Sequence, residues 1–126
     1  MSSPSDLLYT KSHEWVRRDG NIVVVGITDY AQNSLGDVVH VEMPDEGDAF
    51  EQGGELAEIE SVKAVSNIYA PASGSVVAIN EAIEDEPELV NNDAYGDGWL
   101  FKLELSDAAE LDTLLSADAY DRHVEA

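Results

Sequence analysis

The chain has 126 residues, 44% of them hydrophobic, and sets 27 acidic residues against 6 basic ones for a formal net charge of −21. A chain of this length buries about two-thirds of the surface its unfolded form exposes, so residues 1–126 are read as a single domain with a real core. So large a negative charge excludes partners that are themselves polyanions, nucleic acid and anionic membrane surfaces alike.

A polar lead, Met1 to Asp6, precedes Leu7 to Arg18, where Tyr9, Trp15 and Val16 indicate a strand. Asp19-Gly20-Asn21 is a turn signal, and Ile22-Val23-Val24-Val25-Gly26-Ile27 is β-branched enough for a buried strand, so a hairpin is predicted. Thr28 is placed to cap a short helix that runs through Gln32 to Leu35 and stops at Gly36. Asp37 to Met43 returns to strand and ends at Pro44 and the turn Asp45-Glu46-Gly47-Asp48. A near-repeat occupies Ala49 to Asn80, punctuated by Pro71-Ala72-Ser73-Gly74, and Glu84 to Asp97 is acidic and turn-rich. Trp99 to Leu105 alternates, with Trp99, Phe101, Leu103 and Leu105 on the buried face and Leu100, Lys102 and Glu104 opposite. Ser106 to Ala119 is predicted helical after a Ser106-Asp107 cap, because Leu111, Leu114 and Leu115 recur at helical spacing. The fold class is therefore a mostly β domain with a short internal helix and a C-terminal helix.

The near-repeat sets Gly54-Glu55-Leu56-Ala57-Glu58-Ile59-Glu60-Ser61 beside Gly74-Ser75-Val76-Val77-Ala78-Ile79-Asn80-Glu81. Lys63 falls almost midway between the two runs, and the chain has only two other lysines, Lys11 and Lys102. Two similar strands around a lone lysine suggest a loop tip that presents an amine to solvent. The local pattern alone equally fits an ordinary surface lysine on a hairpin.

Constellations for catalysis are thin. With no cysteine there is no disulfide framework, thiolate metal site or thiol nucleophile. His13, His40 and His123 are far apart and in no metal-ligand spacing, so they read as structural or surface residues. The chain holds no Gly-x-Ser-x-Gly elbow and no phosphate-binding or dinucleotide glycine loop. The acidic turns Asp45 to Asp48 and Asp93 to Asp97 lack the calcium-loop ligand order and read as solvated loops; no metal site is expected. An enzyme in its own right is not expected. No basic, apolar leader opens the chain and no run approaches roughly 18 apolar residues, so the expected location is cytoplasmic. Acids spread along a lysine-poor surface fit a cytoplasm of very high salt, where charges are screened within about 3 Å at 1 M, and a halophilic source is expected.

The segment Glu60-Ser61-Val62-Lys63-Ala64, followed by Ser66-Asn67-Ile68-Tyr69-Ala70-Pro71-Ala72-Ser73-Gly74-Ser75-Val76-Val77, resembles the lipoyl-lysine motif and second half-repeat of the glycine cleavage system H proteins. Tyr9-Thr10-Lys11-Ser12-His13-Glu14-Trp15 is similar to that family's opening, and Val25 to Gln32 and Leu35 to Val39 to its helix and flanking strands. Leu89-Val90-Asn91 and Tyr95-Gly96-Asp97-Gly98-Trp99-Leu100 resemble its closing turn and strand. The likeness spans about residues 7 to 120. It departs at Ala94, where the family usually has proline, which puts only the fold of that loop in doubt.

The resemblance implies a lipoyl-type barrel-sandwich hybrid, the hammerhead, with a quasi-twofold repeat, a core over about 22–105 and a C-terminal helical segment over about 106–120. It implies lipoate in amide linkage to Lys63, with Glu60, Ser61, Val62 and Ala64 as the attachment motif. The arm would take the aminomethyl group from a pyridoxal-phosphate glycine decarboxylase to a folate-dependent aminomethyltransferase. Dihydrolipoamide dehydrogenase would reoxidise it, and a lipoate-attaching enzyme would install it. A labile carried amine needs shelter from water, and Ser12, Glu14 and Ser34 are the residues expected to give a groove its polar groups. Two other readings stay open: a biotin carrier, which predicts methionines where Val62 and Ala64 stand, and an interaction module that relays lipoate to other proteins.

Overall fold

The computed structural model describes residues 4–125; of the polar lead, residues 1–3 lie outside the described residues. Among the described residues nine strands form two antiparallel sheets. β1 (Leu8–Tyr9), β2 (Glu14–Asp19) and β3 (Ile22–Ile27) follow in sequence, then α1 (Asp29–Leu35) and β4 (Val38–Glu42). β5 (Ala49–Phe50), β6 (Glu55–Ser61), β7 (Val65–Tyr69) and β8 (Gly74–Ile79) come next. Two single-turn helices, α2 (Ala82–Asp85) and α3 (Leu89–Asn92), lead to β9 (Phe101–Leu105) and α4 (Ala117–Glu125). The six-stranded sheet runs β1-β2-β3-β9-β8-β5 and the three-stranded sheet β4-β6-β7.

The predicted β2–β3 hairpin forms, with Asp19 opposite Ile22 and Gly20 at φ 64 in its turn. Its inward face supplies Val16, Val23, Val25 and Ile27 to a core completed by Val41, Leu56 and Ile59 from the smaller sheet and by Val76, Phe101 and Leu103 from the larger. Burial of these side chains, each about 1.5–3 kcal/mol, is what holds the sheets together. The two copies of the near-repeat, β6 and β8, lie in opposite sheets and face this core from both sides. They do not flank the lysine together, as the sequence suggested: the lysine hairpin is β6–β7, with Glu60 opposite Val65. Gly74 is required where β8 meets β9, because a Cβ there would sit 2.3 Å from the carbonyl oxygen of Glu104.

Three expectations need correction. The acidic stretch after β8 is not all turn: it folds into α2 and α3, which bury Ile83 and Val90. Leu100 is fully buried rather than opposite the core, since the strand begins only at Phe101 and Leu100 N–H donates to Val25 O at 2.8 Å. The C-terminal segment is not one helix. A 3-10 turn over Ala108–Thr113 ends at Leu114, which is extended, and Leu115 exchanges backbone hydrogen bonds of 2.8 and 2.7 Å with Tyr9. That pairing gives the N–H and C=O of Leu115 partners on β1, so the backbone stays satisfied where the helix is broken. A helix restarts at Ala117, with Ser116 Oγ accepting from Ala119 N–H.

Candidate functional site

Lys63 stands at the tip of the β6–β7 hairpin and is exposed, between Val62 at 68% and Val65 at 60% exposure. The turn is built by Ser61, which is buried. Its backbone N–H donates to Ala64 O at 2.8 Å, and its Oγ accepts the N–H groups of Ala64 at 3.0 Å and Lys63 at 3.3 Å. One serine side chain thus closes the loop and turns the lysine outward. Glu60 is exposed on β6 below the turn, and Ala64 on its far side adds no bulk.

A second contact steadies the tip. Val62 N–H donates to Asp37 O at 3.0 Å, tying the turn to the segment between α1 and β4. There α1 ends as the sequence predicts, capped by Thr28 Oγ1 accepting Ala31 N–H at one end and by Gly36 at the other. A Cβ on Gly36 would lie 3.3 Å from Lys63 Cε, so the lysine stem rests against bare glycine backbone. Asn91 of α3 holds this corner: its Nδ2 donates to Gly36 O and to Gln32 Oε1, and its Oδ1 accepts Val38 N–H. Sequence reasoning treated Asn91 as part of a turn and Gly36 as a helix stop. No local signal links Asn91 to a corner 55 residues away in sequence.

Ser12, Glu14 and Ser34 are brought together. They line one groove of about 300 Å³, with His13 beside them, Tyr30 on α1, and Ser66 and Asn67 of β7 across from them. The groove reaches Leu35, the residue before Gly36, so its floor and the base of the lysine share the last turn of α1. Ser34 is exposed in that turn. Ser12 and Glu14 also line a second cavity of about 200 Å³, together with Thr10, Tyr69 and Leu115.

Glu14 is 1% exposed and accepts hydrogen bonds of 2.6 Å from both Thr10 Oγ1 and Ser12 Oγ, with Tyr69 N–H at 3.5 Å. None of these donors is cationic. Burial therefore pushes the carboxyl above the usual carboxylate range, and the two hydroxyls and the amide only partly pull it back. His13 has φ 73 and its Nδ1 is 2.8 Å from Tyr120 Oη; burial, with His123 nearby, pushes its imidazole below the ordinary value. His13, Tyr30, Ser66 and Asn67 are groove residues the sequence did not single out. His13 sits where a left-handed turn aims its ring, a conformation no sequence period reports.

The other two lysines fit an attached arm poorly. Lys102 lies on β9 with its Nζ 5.1 Å from the centre of the Trp99 ring, and Lys11 sits in the 10–14 turn beside the second cavity. Among the described residues no group of three or more His, Cys, Asp or Glu is placed to hold a metal ion. Among the described residues no helix is long and apolar enough to cross a membrane.

A lysine held out at the tip of a serine-closed hairpin of the three-stranded sheet is suited to presenting an attached group. The glycine cleavage H-protein family model matches residues 7–126. The glycine cleavage system H protein of Symbiobacterium thermophilum is 57% identical over 118 residues, 94% of this chain and 92% of that protein. That of Listeria monocytogenes is 53% identical over 122 residues, 97% of this chain and 98% of its own length. The crystal structure of a glycine cleavage system H protein from Mycobacterium marinum superposes with a TM-score of 0.90 at 38% identity, covering 98% of this chain and 100% of that one. The chain belongs to the glycine cleavage H-protein family. It is a non-catalytic lipoyl carrier of that system, with lipoate held covalently on a lysine.

Proposed function

We propose that Lys63 is the lysine that bears the lipoate and that the groove along α1 shelters the carried aminomethyl group. The observation that carries this is the placement of Lys63: alone at an exposed tip, its stem against Gly36, one residue from the groove floor. When attached, the dithiolane supplies the redox and group-carrying chemistry that the chain's own side chains lack. Amide formation removes one of the six basic charges and leaves the arm uncharged.

The protein's residues then orient and protect. Ser61 and the Asp37 carbonyl keep the tip from folding back. Glu14 faces the groove as a buried acceptor for the carried amine, with Ser12 and Ser34 as further polar groups. The cost of burying a carboxylate without a cation is offset when an ammonium arrives. We take residues 1–126 as one carrier domain working in the cytoplasm with the pyridoxal-phosphate decarboxylase, the folate-dependent aminomethyltransferase, dihydrolipoamide dehydrogenase and a lipoate-attaching enzyme. A tethered arm raises its effective concentration at each of these in turn.

Reconstitution with the three partner enzymes tests the proposal. Lys63→Arg should abolish glycine decarboxylation coupled to methylene-folate formation, while Lys11→Arg and Lys102→Arg should leave it intact. Full activity of Lys63→Arg would end it.

A further inference from the structure

Tyr120 lies on α4, far in sequence from Lys63, yet its buried hydroxyl joins His13, a groove residue, to Thr28, the cap of α1. It is 2.8 Å from His13 Nδ1 and 2.7 Å from Thr28 Oγ1. His13 lines the groove and its ring packs on Tyr30, another lining residue, with centroids 4.8 Å apart. Thr28 is fully buried and caps α1, the helix whose last turn carries Ser34, Leu35 and the contact with Lys63. The phenol ring itself is stacked on Tyr9 at 4.8 Å, so the ring anchors α4 while the hydroxyl alone reaches His13 behind the groove wall.

The hydroxyl has one proton to give. If Tyr120 donates to His13 Nδ1, Thr28 donates to Tyr120; if Tyr120 donates to Thr28, His13 Nδ1 carries the proton. Thr28 Oγ1 already accepts Ala31 N–H and is fully buried, so its own proton goes to Tyr120, which leaves Tyr120 to donate to an unprotonated His13 Nδ1 and ties one tautomer of that ring to the first turn of α1. The His13 backbone, held at φ 73, is joined to the start of α1 by Thr28 N–H donating to His13 O at 3.0 Å, and the Tyr120 hydroxyl adds the tie on the side chain.

We propose that Tyr120 is a positioning residue for the carried group: its hydroxyl locks the His13 turn to the start of α1 and so fixes the width of the groove and the His13 ring within it. This rests on the reading of Lys63 and the groove given above. It assigns the C-terminal helix a role in retaining cargo, beyond covering β1.

Tyr120→Phe keeps the stack on Tyr9 and deletes the junction; Val124→Ala loosens the packing of the same helix without touching it. In the unmodified chain, ring nitrogen NMR shifts should report a single His13 tautomer for the wild type and Val124→Ala, and a mixture for Tyr120→Phe. The second readout uses the reduced lipoyl chain, loaded with the aminomethyl group from formaldehyde and ammonium. Loss to water breaks the carbon–sulfur and carbon–nitrogen bonds and gives thiol, formaldehyde and ammonium, with no redox change. Tyr120→Phe should speed this loss roughly two- to tenfold, the equivalent of one hydrogen bond. His13→Asn, tolerant of the same backbone, should do the same and add nothing in the double variant; it carries the test if Tyr120→Phe fails to fold. A single tautomer and wild-type loss in Tyr120→Phe, or equal acceleration by Val124→Ala, would overturn the positioning role. If the wild-type chain loses the group as fast as free dihydrolipoamide does, the groove reading itself falls.

Discussion

The side-chain amide of Asn91 donates to the carbonyl of Gly36 at 2.8 Å, and the same side chain accepts Val38 N–H at 2.8 Å. It therefore clamps both ends of the three-residue corner whose middle carbonyl, on Asp37, holds Val62 of the lysine turn. Asn91→Ala leaves Val38 N–H without its acceptor at a buried residue and should cost about 1–3 kcal/mol. Urea unfolding measures that loss. Lipoate attachment to Lys63 should slow in the same variant, because the tip loses its support.

Gly36 has φ 80 and ψ −159, a region that is essentially glycine-only. Gly36→Ala should destabilise the chain by about 1–3 kcal/mol through the backbone alone. Its methyl would also press on the Lys63 stem, 3.3 Å away at Cε, which can yield because that side chain is flexible. We expect the stability loss without loss of attachment, measured by unfolding midpoint and by mass.

Glu14 gives a pH dependence. Its folded-state pKa is raised by burial, so folding favours the protonated form. Its contribution to stability is fully present below the ordinary carboxylate range and is lost as pH rises through the raised value. The stability of Glu14→Gln relative to wild type should therefore improve as pH rises from the ordinary carboxylate range through the raised value. Parallel denaturation curves across that range check the sign. Retention of the aminomethyl group should fall in the same variant.

Charge repulsion is locally visible where Glu42 of β4 stands directly opposite Glu58 of β6, both exposed. Like charges in that position destabilise a sheet by up to about 1 kcal/mol. Glu42→Lys should stabilise the protein by roughly that amount in low salt and by much less in 1 M KCl, where the Debye length is about 3 Å. With a net charge of −21, the wild-type unfolding midpoint should itself rise by roughly 4 °C or more over that change.

Much of the fold was legible because it follows period and punctuation. The β2–β3 hairpin, α1 with Thr28 and Gly36 at its ends, and the strands of the near-repeat all rest on local signals. What misled were contacts made across the chain. Leu114 and Leu115 have helical spacing, yet the edge of β1 captures Leu115 and breaks the helix. Leu100 sits on the polar side of the alternation but precedes the strand, so the alternation does not apply to it. The near-repeat pointed to Lys63 for an incomplete reason, since its second copy lies in the other sheet. Ser12, Glu14 and Ser34 converge because the 10–14 turn and α1 pack side by side. His13 meets Tyr120 at the start of α1 and Asn91 meets Gly36 at its end, through pairings 107 and 55 residues apart that no local pattern encodes.

The central claim is that Lys63 bears the lipoate. Intact mass of the chain purified from its own source, followed by mass mapping of its peptides, addresses it directly. A lipoyl addition confined to the peptide containing Lys63 is the predicted result. A biotinyl addition, no addition, or lipoate on Lys11 or Lys102 would contradict it.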